Sequence, residues 1–222
     1  MKQLWKKVHT VALVAGAMGA VASTAGAQIT FVGNAFGCFY TGAAPANCSG
    51  LLSSVGSLTY SGSTFNVTSN PADGLLSIGR APGTPNTNNL GSFHLQGGDF
   101  NYTGQEFALF VNFTQPAGVA GNSLYTAMIT GNLTDASSGN VFVEFSSNGP
   151  SAPHTFTFAD GTTLSNFVVD PVSINDGDDP TAGSTIGVSG HGYATVPEPS
   201  SLALLGTGLV GIVPLFRKRR NG

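Results

Sequence analysis

Two cysteines are the residues of this chain whose chemistry is most direct. Cys38 and Cys48 are the only cysteines among the 222 residues, and they lie close together in sequence. Two such thiols usually pair in an oxidising compartment, where the N-terminal segment described below is expected to deliver them. We therefore predict a disulfide that staples the loop of residues 41–47 and closes a ring of about 11 residues, worth about 3 kcal/mol in the loop-closure model. A two-thiol metal site would need further ligands, and no histidine lies near in sequence.

An acidic turn offers a second kind of chemistry. Residues 175–179 read NDGDD, so Asp176, Asp178 and Asp179 place several hard oxygen ligands in one loop. Such a composition suits calcium, although the twelve-residue spacing and closing glutamate of an EF-hand are missing. The alternative is an ordinary acidic turn. No other metal and no other cofactor is predicted.

Carboxylates for glycoside hydrolysis are available but unpaired. That reaction needs two acids about 5 to 10 Å apart across a cleft. The candidates are Asp99, Glu106, Asp135 and Glu144. Any β-protein has such acids at strand ends, so the sequence alone cannot pair them.

Histidine and serine chemistry finds equally little support. His94, His154 and His191 are isolated from one another and show no metal-ligand spacing. Residues 187–191 read GVSGH, which places histidine where a nucleophile elbow needs its second glycine. We therefore expect no catalytic activity.

The last 27 residues form a three-part segment. Pro197-Glu198-Pro199 is followed by an apolar stretch, residues 201–216, and then by a basic block. That block consists of Arg217, Lys218, Arg219 and Arg220. As a helix the apolar stretch would span roughly 24 Å, somewhat less than the hydrocarbon thickness of a bilayer, and glycines and a proline interrupt it. The basic block would stay on the cytoplasmic side.

This segment resembles the PEP-CTERM sorting signal of exported bacterial proteins. The resemblance covers residues 196–222 and implies export from a Gram-negative cell, transient anchoring in the inner membrane and removal of the tail by an exosortase-type protease. It also implies frequent association with extracellular polysaccharide, but no common activity. A permanent single-span anchor is the alternative.

The first 27 residues have the anatomy of a secretory signal peptide. Lys2, Lys6 and Lys7 precede an apolar stretch over residues 11–21, which ends in Ala25-Gly26-Ala27. That stretch is too short to cross a bilayer of about 30 Å at about 1.5 Å per residue. We predict cleavage after Ala27; a retained N-terminal anchor is the alternative.

The segment between these ends, residues 28–195, is strongly depleted in cations. It contains one arginine, Arg80, no lysine and ten acids, for a net charge of −9. Binding to a phosphate backbone needs Lys and Arg to displace counterions, so we predict no nucleic-acid partner. An anionic membrane surface is excluded as a partner for the same reason.

Alternation of apolar and other residues predicts the fold of this segment. Phe107, Leu109, Val111 and Phe113 would share one face of a strand. Several other segments repeat the pattern between turns rich in Gly, Pro, Asn and Asp, such as residues 70–74 and 159–161. About ten short strands predict an all-β domain, an antiparallel, jelly-roll-like β-sandwich, with a barrel as the alternative. The signal peptide (1–27) and the sorting signal (196–222), with its apolar helix over residues 201–216, would lie outside this domain, 28–195.

These patterns lead to one functional hypothesis and two alternatives. We predict an exported, noncatalytic surface or matrix protein with a structural or adhesive role alongside exopolysaccharide. The first alternative is a carbohydrate-binding module, for which a groove lined by tyrosines would be evidence. Its candidate rings are Tyr40, Tyr60, Tyr102, Tyr125 and Tyr193. The second is a secreted hydrolase, for which a carboxylate pair in a cleft would be evidence.

Overall fold

A computed structural model describes residues 28–79, 88–118, 123–133, 140–145, 152–175 and 183–197. Within these ranges the regular structure is entirely β, with fifteen strands. No helix in the described ranges has the length and apolar character needed to cross a bilayer. The predicted signal helix and the predicted apolar helix of the tail lie outside the described residues.

The strands are numbered in chain order. The first eight are β1 (Thr30–Tyr40), β2 (Ser54–Val55), β3 (Leu58–Ser61), β4 (Ser63–Thr68), β5 (Leu75–Ile78), β6 (Ser92–Leu95), β7 (Phe100–Asn101) and β8 (Gln105–Gln115). The others are β9 (Ser123–Leu133), β10 (Asn140–Phe145), β11 (His154–Thr157), β12 (Thr163–Val169), β13 (Val172–Asn175), β14 (Ser184–Gly187) and β15 (Gly190–Thr195).

These strands form three antiparallel sheets. The large sheet has the order β13-β10-β9-β8-β1-β4, with β7 paired to β9. Two four-stranded sheets, β11-β12-β15-β5 and β14-β6-β3-β2, contribute to the same apolar core as the large sheet. The prediction of an all-β domain with antiparallel, sandwich-like sheets is confirmed.

Strand β8 shows how the sequence builds the core. Phe107, Leu109, Val111 and Phe113 are all buried in the main core, as their alternation predicts. Phe110, on the opposite face, is buried as well, in a smaller cluster that also contains Cys38. Because both faces of this strand are covered, its central residues are nearly all apolar.

The molecule has two ends, which we call the base and the tip. Strand β1 runs from Thr30 at the base to Tyr40 at the tip, a distance of about 33 Å at about 3.3 Å per residue. Near the base, sheet β11-β12-β15-β5 covers the core; near the tip, sheet β14-β6-β3-β2 covers it.

Each half of the core is organised around one phenylalanine. Towards the base, the ring of Phe113 contacts five others, those of Phe31, Phe65, Phe156, Phe158 and Phe167. Towards the tip, the ring of Phe107 contacts three, those of Phe39, Tyr60 and Phe93. Edge-on and tilted ring pairs of this kind add about 0.5–1.5 kcal/mol each beyond the area they bury.

Two of the predicted turns are held by aspartate side chains. Asp73 accepts a hydrogen bond from the backbone N–H of Leu75, and Asp160 accepts one from that of Thr162, both at 2.9 Å. A carboxylate that bonds the backbone two residues further on mimics a backbone turn, which is why aspartate favours these positions. Both turns lie beside the base.

Candidate functional site

The base is the place where both ends of the described domain meet. Ile29 exchanges hydrogen bonds with Ser69: its N–H donates to the Ser69 hydroxyl at 3.1 Å, and its carbonyl accepts from the Ser69 N–H at 2.8 Å. At the other end of the domain, the hydroxyls of Thr195 and Thr163 lie 2.5 Å apart. Thr195, the last residue of β15, is thus still paired with a neighbouring strand of the domain.

The Pro-Glu-Pro motif begins directly at this end. Val196 is 39% exposed, and Pro197 packs against the turn that contains Gly161. A Cβ atom at Gly161, where φ is +83°, would lie 2.7 Å from Cγ of Pro197, so only glycine fits there without movement. The other predicted signal residues, Glu198, Pro199, Arg217, Lys218, Arg219 and Arg220, lie outside the described residues.

An open hollow of about 580 Å³ connects these two ends. Gln28 and Thr30 line it from the N-terminal side, Val196 from the C-terminal side, and Gln115 and Asp160 from the intervening chain. The first and last described residues, next to which the predicted signal peptide and the tail begin, are therefore neighbours in space, although about 170 residues separate them in sequence.

At the tip, the predicted disulfide is confirmed. Cys38 and Cys48 are bonded, with Cα atoms 5.6 Å apart, inside the usual range of about 4.4–6.8 Å. Cys38 points to the outer face of the large sheet, where it is buried with Tyr40, Ala108 and Phe110. The bond therefore ties the loop of residues 41–47 to a covered part of that face.

A cleft of about 340 Å³ lies beside this loop. Its walls come from the end of β1, from the disulfide loop, from the segment that leads into β2 and from Gln105 at the start of β8. Leu52 is 68% exposed and Leu51 is 39% exposed, so the cleft has an apolar rim. We call it the tip cleft.

The tyrosines do not form the groove considered above. Tyr40, Tyr60, Tyr102 and Tyr125 are buried, and only Tyr193, at 48%, is substantially exposed. Burial raises the pKa of the Tyr60 and Tyr125 hydroxyls well above the usual range. For Tyr40, burial first and the Glu106 carboxylate second raise the pKa of the phenol. Four of the five candidate stacking rings are therefore packing residues. One of these four, Tyr40, also borders the tip cleft.

Two of the candidate carboxylates share a face of the large sheet. Glu106 and Glu144 both stand opposite Met128, on the neighbouring strands either side of it. Their backbones are therefore about 10 Å apart, at two strand spacings. Met128 between them is 60% exposed, so the two acids lie on an open face, not in a cleft. Asp99 precedes β7, and Asp135 lies outside the described residues.

The serine and histidine of the GVSGH segment converge on one aspartate. The Ser189 hydroxyl donates to Oδ2 of Asp170 at 2.6 Å, and Nδ1 of His191 lies 3.0 Å from Oδ1 of the same carboxylate. Nucleophilic catalysis would require the serine proton to face the imidazole. Here the Ser189 hydroxyl donates to the carboxylate of Asp170 instead. The contacts of Asp170 with Ser189 and His191 therefore connect the loop after Val169 to β15.

Metal binding has no support within the described ranges. No group of three or more His, Cys, Asp or Glu side chains there is placed to hold an ion. His94 and His154 lie in different sheets, and Nδ1 of His94 is 2.9 Å from the Thr185 hydroxyl. The calcium candidates Asp176, Asp178 and Asp179 lie outside the described residues, and that site remains a prediction.

The tip cleft is the feature that sequence reasoning missed. Leu51 and Leu52 form part of an irregular segment without alternation, and their neighbours in the cleft come from positions far away in sequence, such as Gln105. The one available signal was the disulfide, because it predicted a fixed loop directly before these leucines.

Comparison with known families identifies the tail. The profile of the PEP-CTERM protein-sorting motif matches residues 195–220. Neither the curated proteins nor the solved structures yield a match. The motif implies export to the cell envelope or beyond and processing by an exosortase, which is a membrane protein. The matched range begins at Thr195, the last residue of β15.

Proposed function

We propose that this protein is a noncatalytic structural or adhesive component of the extracellular matrix that acts together with exopolysaccharide. The PEP-CTERM motif at residues 195–220 is the observation that carries the proposal, because it makes the chain an exported substrate of exosortase. The matrix role itself is inferred from the body that the signal delivers.

The tail serves as a temporary anchor in this proposal. Residues 201–216 would enter the inner membrane as a helix of roughly 24 Å, and the basic block at 217–220 would stay in the cytoplasm. A segment that is recognised and then discarded needs only to halt translocation briefly. The mature protein would lack residues 201–222, after cleavage at or near residues 197–200.

The geometry of the base supports this anchoring. The predicted signal peptide (1–27) and the tail (196–222) both join the body beside the hollow at the base. Both can therefore reach the same membrane without unfolding any strand. Between Pro197 and residue 201 the chain can extend by at most about 14 Å, at about 3.6 Å per residue. The base would therefore lie close to the membrane, and the tip would point about 33 Å outwards.

The surface chemistry of the body supports contact with a hydrated polymer. Residues 28–195 carry one cation and no lysine, and they are rich in Ser, Thr, Asn and Gly. Such a surface offers many hydroxyl and amide groups and few fixed charges. It can therefore form hydrogen bonds with polysaccharide while keeping attraction to anionic membranes and nucleic acids low.

A carbohydrate-binding module is the second candidate, and the tip cleft favours it over a hydrolase. The cleft combines an apolar rim with polar side chains at the end predicted to face outwards. The carboxylates Glu106 and Glu144, in contrast, lie on an open face beside exposed Met128. Glycoside hydrolysis needs such acids on either side of a bound sugar.

Intact-mass measurement on protein from host membranes and medium tests the sorting step. We expect the released or surface fraction to lack residues 201–222 and the membrane fraction of an exosortase-free strain to retain them. Replacing Arg217, Lys218, Arg219 and Arg220 by Gln should increase unprocessed protein. The matched control replaces the three arginines by Lys, which keeps the charge, and should process normally. Surface protein with Gly222 still present would contradict the proposal.

Partitioning between cells and isolated matrix tests the role. We expect the processed protein to co-purify with exopolysaccharide and to be released into the medium by a strain that cannot make this polymer. Equal distribution in both strains would contradict the matrix role while leaving the sorting step intact.

A further inference from the structure

The tip cleft is held in shape before any ligand arrives. The disulfide joins its loop to the buried Cys38, and the Phe39 N–H donates to the Leu52 carbonyl at 2.9 Å. Inside the loop, the Asn47 side chain accepts from the Ser49 N–H at 2.8 Å, and the Leu51 N–H donates to the Cys48 carbonyl at 3.2 Å. A preformed site loses little conformational entropy on binding.

The lining of the cleft selects for a neutral ligand. None of the described residues that line it is Asp, Glu, Lys, Arg or His. The body carries ten acids, yet none of them is among these lining residues. The lining therefore offers no ionic partner to a charged ligand. A phosphate or a uronic acid would lose hydration there without gaining a counter-charge, and the nearby Glu106 carboxylate, which acts on Tyr40 in the lining, would repel either.

The same lining combines apolar and hydrogen-bonding groups. Leu51, Leu52 and Val55 supply apolar surface, while Thr41, Ser54 and Gln105 supply hydroxyl and amide groups. The ligand class that presents C–H faces and neutral hydroxyls side by side is a saccharide. At about 340 Å³, the cleft lies near the lower end of the roughly 300–1,000 Å³ typical of small-molecule sites.

We propose that the tip cleft binds a short segment of a neutral saccharide, with the exposed leucines against a ring face and the polar side chains on its hydroxyls. This inference rests on the proposed association with exopolysaccharide and names where and how it occurs. It places the contact at the end of the domain furthest from the chain termini. Polymer would therefore meet the protein at a rigid tip, away from the membrane.

A panel of oligosaccharides tests the ligand class on processed protein from the host. The probes are neutral glucan, galactan and mannan oligosaccharides, with uronic-acid-containing oligosaccharides of the same length as the charged comparison. We expect binding of at least one neutral series and at least tenfold weaker binding of its charged counterpart. Binding of charged probes only, or of none, would overturn the proposal.

Two single substitutions test the location. Leu52→Ser removes the most exposed rim side chain and should lower affinity for the bound series at least fivefold, without a change in melting temperature. Met128→Ser is the matched control, since Met128 is similarly exposed on the outer face of the large sheet and outside the cleft. Equal affinities of the two variants would place the sugar elsewhere and refute this site.

The matrix proposal and the cleft proposal fail differently. If Leu52→Ser loses sugar binding but the variant still co-purifies with matrix, the cleft is a sugar site that does not hold the protein in the matrix. If no probe binds while wild-type protein remains matrix-bound, the cleft proposal is wrong and the matrix role stands. If sugar binds but wild-type protein never enters matrix, the matrix role is wrong.

Discussion

The base and the tip of this domain share the long strands β1 and β8, but different small sheets cover them and different bonds stabilise them. At the base, the two ends of the described domain are held by hydrogen bonds, such as those of Ile29 with Ser69, and by the contact of Pro197 with Gly161. At the tip, a covalent bond between Cys38 and Cys48 holds an irregular loop. The end from which the PEP-CTERM tail continues is thus held by non-covalent contacts, whereas the opposite end has a covalent crosslink.

The two ends nevertheless share one core. Strand β8 carries both central rings, Phe107 towards the tip and Phe113 towards the base, and both belong to the same buried cluster. The crosslinked end and the end that carries the PEP-CTERM motif are therefore connected through this strand and its neighbours. This comparison leads to four predictions.

The largest effect is expected from truncating either central ring. Phe107→Ala and Phe113→Ala should each lower the free energy of unfolding by about 3–5 kcal/mol, because each leaves a cavity among several rings. Since the core is shared, both variants should still unfold in one transition by fluorescence and by circular dichroism. Two separated transitions in either variant would show that base and tip fold independently.

Removing the disulfide should have the next largest effect. The double variant Cys38→Ala/Cys48→Ala should lose about 3 kcal/mol, because the unfolded chain regains the freedom of a ring of about 11 residues. Hydrogen exchange should accelerate most at Leu51 and Leu52 and least at Ile29 and Ser69. Chemical denaturation measures the total, and reduction of wild-type protein is the control. Equal acceleration at both ends would contradict the local role of the crosslink.

Alkaline pH should destabilise the fold through its buried tyrosines. The pKa of Tyr60 and of Tyr125 is raised by burial, so the unfolded chain releases these protons first. Stability is then unaffected below pH about 10 and falls above it, by about 1.4 kcal/mol per pH unit for each tyrosine. Tyr60→Phe and Tyr125→Phe should each reduce this slope in urea titrations at pH 9–11. Tyr193→Phe, at an exposed ring, is the matched control for the loss of a tyrosine hydroxyl.

The smallest effects are expected from two matched turns. Asp160 at the base and Asn47 at the tip each accept a hydrogen bond from the backbone N–H two residues further on. Replacing either by Ala should cost at most about 1 kcal/mol, because the bond exchanges with water. Thermal denaturation should show a smaller loss for Asn47→Ala, since the disulfide holds its loop independently. The reverse order would mean that the crosslink does not organise this loop.

Local patterns in the sequence predicted much of this molecule. The alternation in β8, the aspartate turns at Asp73 and Asp160, the Cys38–Cys48 bond and the sorting motif all depend on residues that are near one another in the chain. These features could be predicted because the residues concerned lie near one another in the chain. The bonded residues are two positions apart in an Asx turn and ten positions apart in the disulfide.

Other features depended on long-range pairing, which one sequence does not reveal. The tyrosines were considered as stacking surfaces, yet whether a ring faces solvent depends on which sheet covers it, and four of the five are covered. Glu106 and Glu144 met opposite Met128 only because β9 lies between β8 and β10. The tip cleft arose in the same way, from segments around Leu52 and Gln105.

The sequence by itself determined that the chain carries a sorting signal: a Pro-Glu-Pro motif, an apolar stretch and a basic block follow one another in the tail and form a linear pattern. Only the tertiary structure decided that the two ends of the body, near Gln28 and Val196, meet at the base and that a cleft without charged lining residues lies at the tip. The physical reason is that antiparallel register, set by burial of alternate side chains against distant partners, fixes which ends of the strands come together.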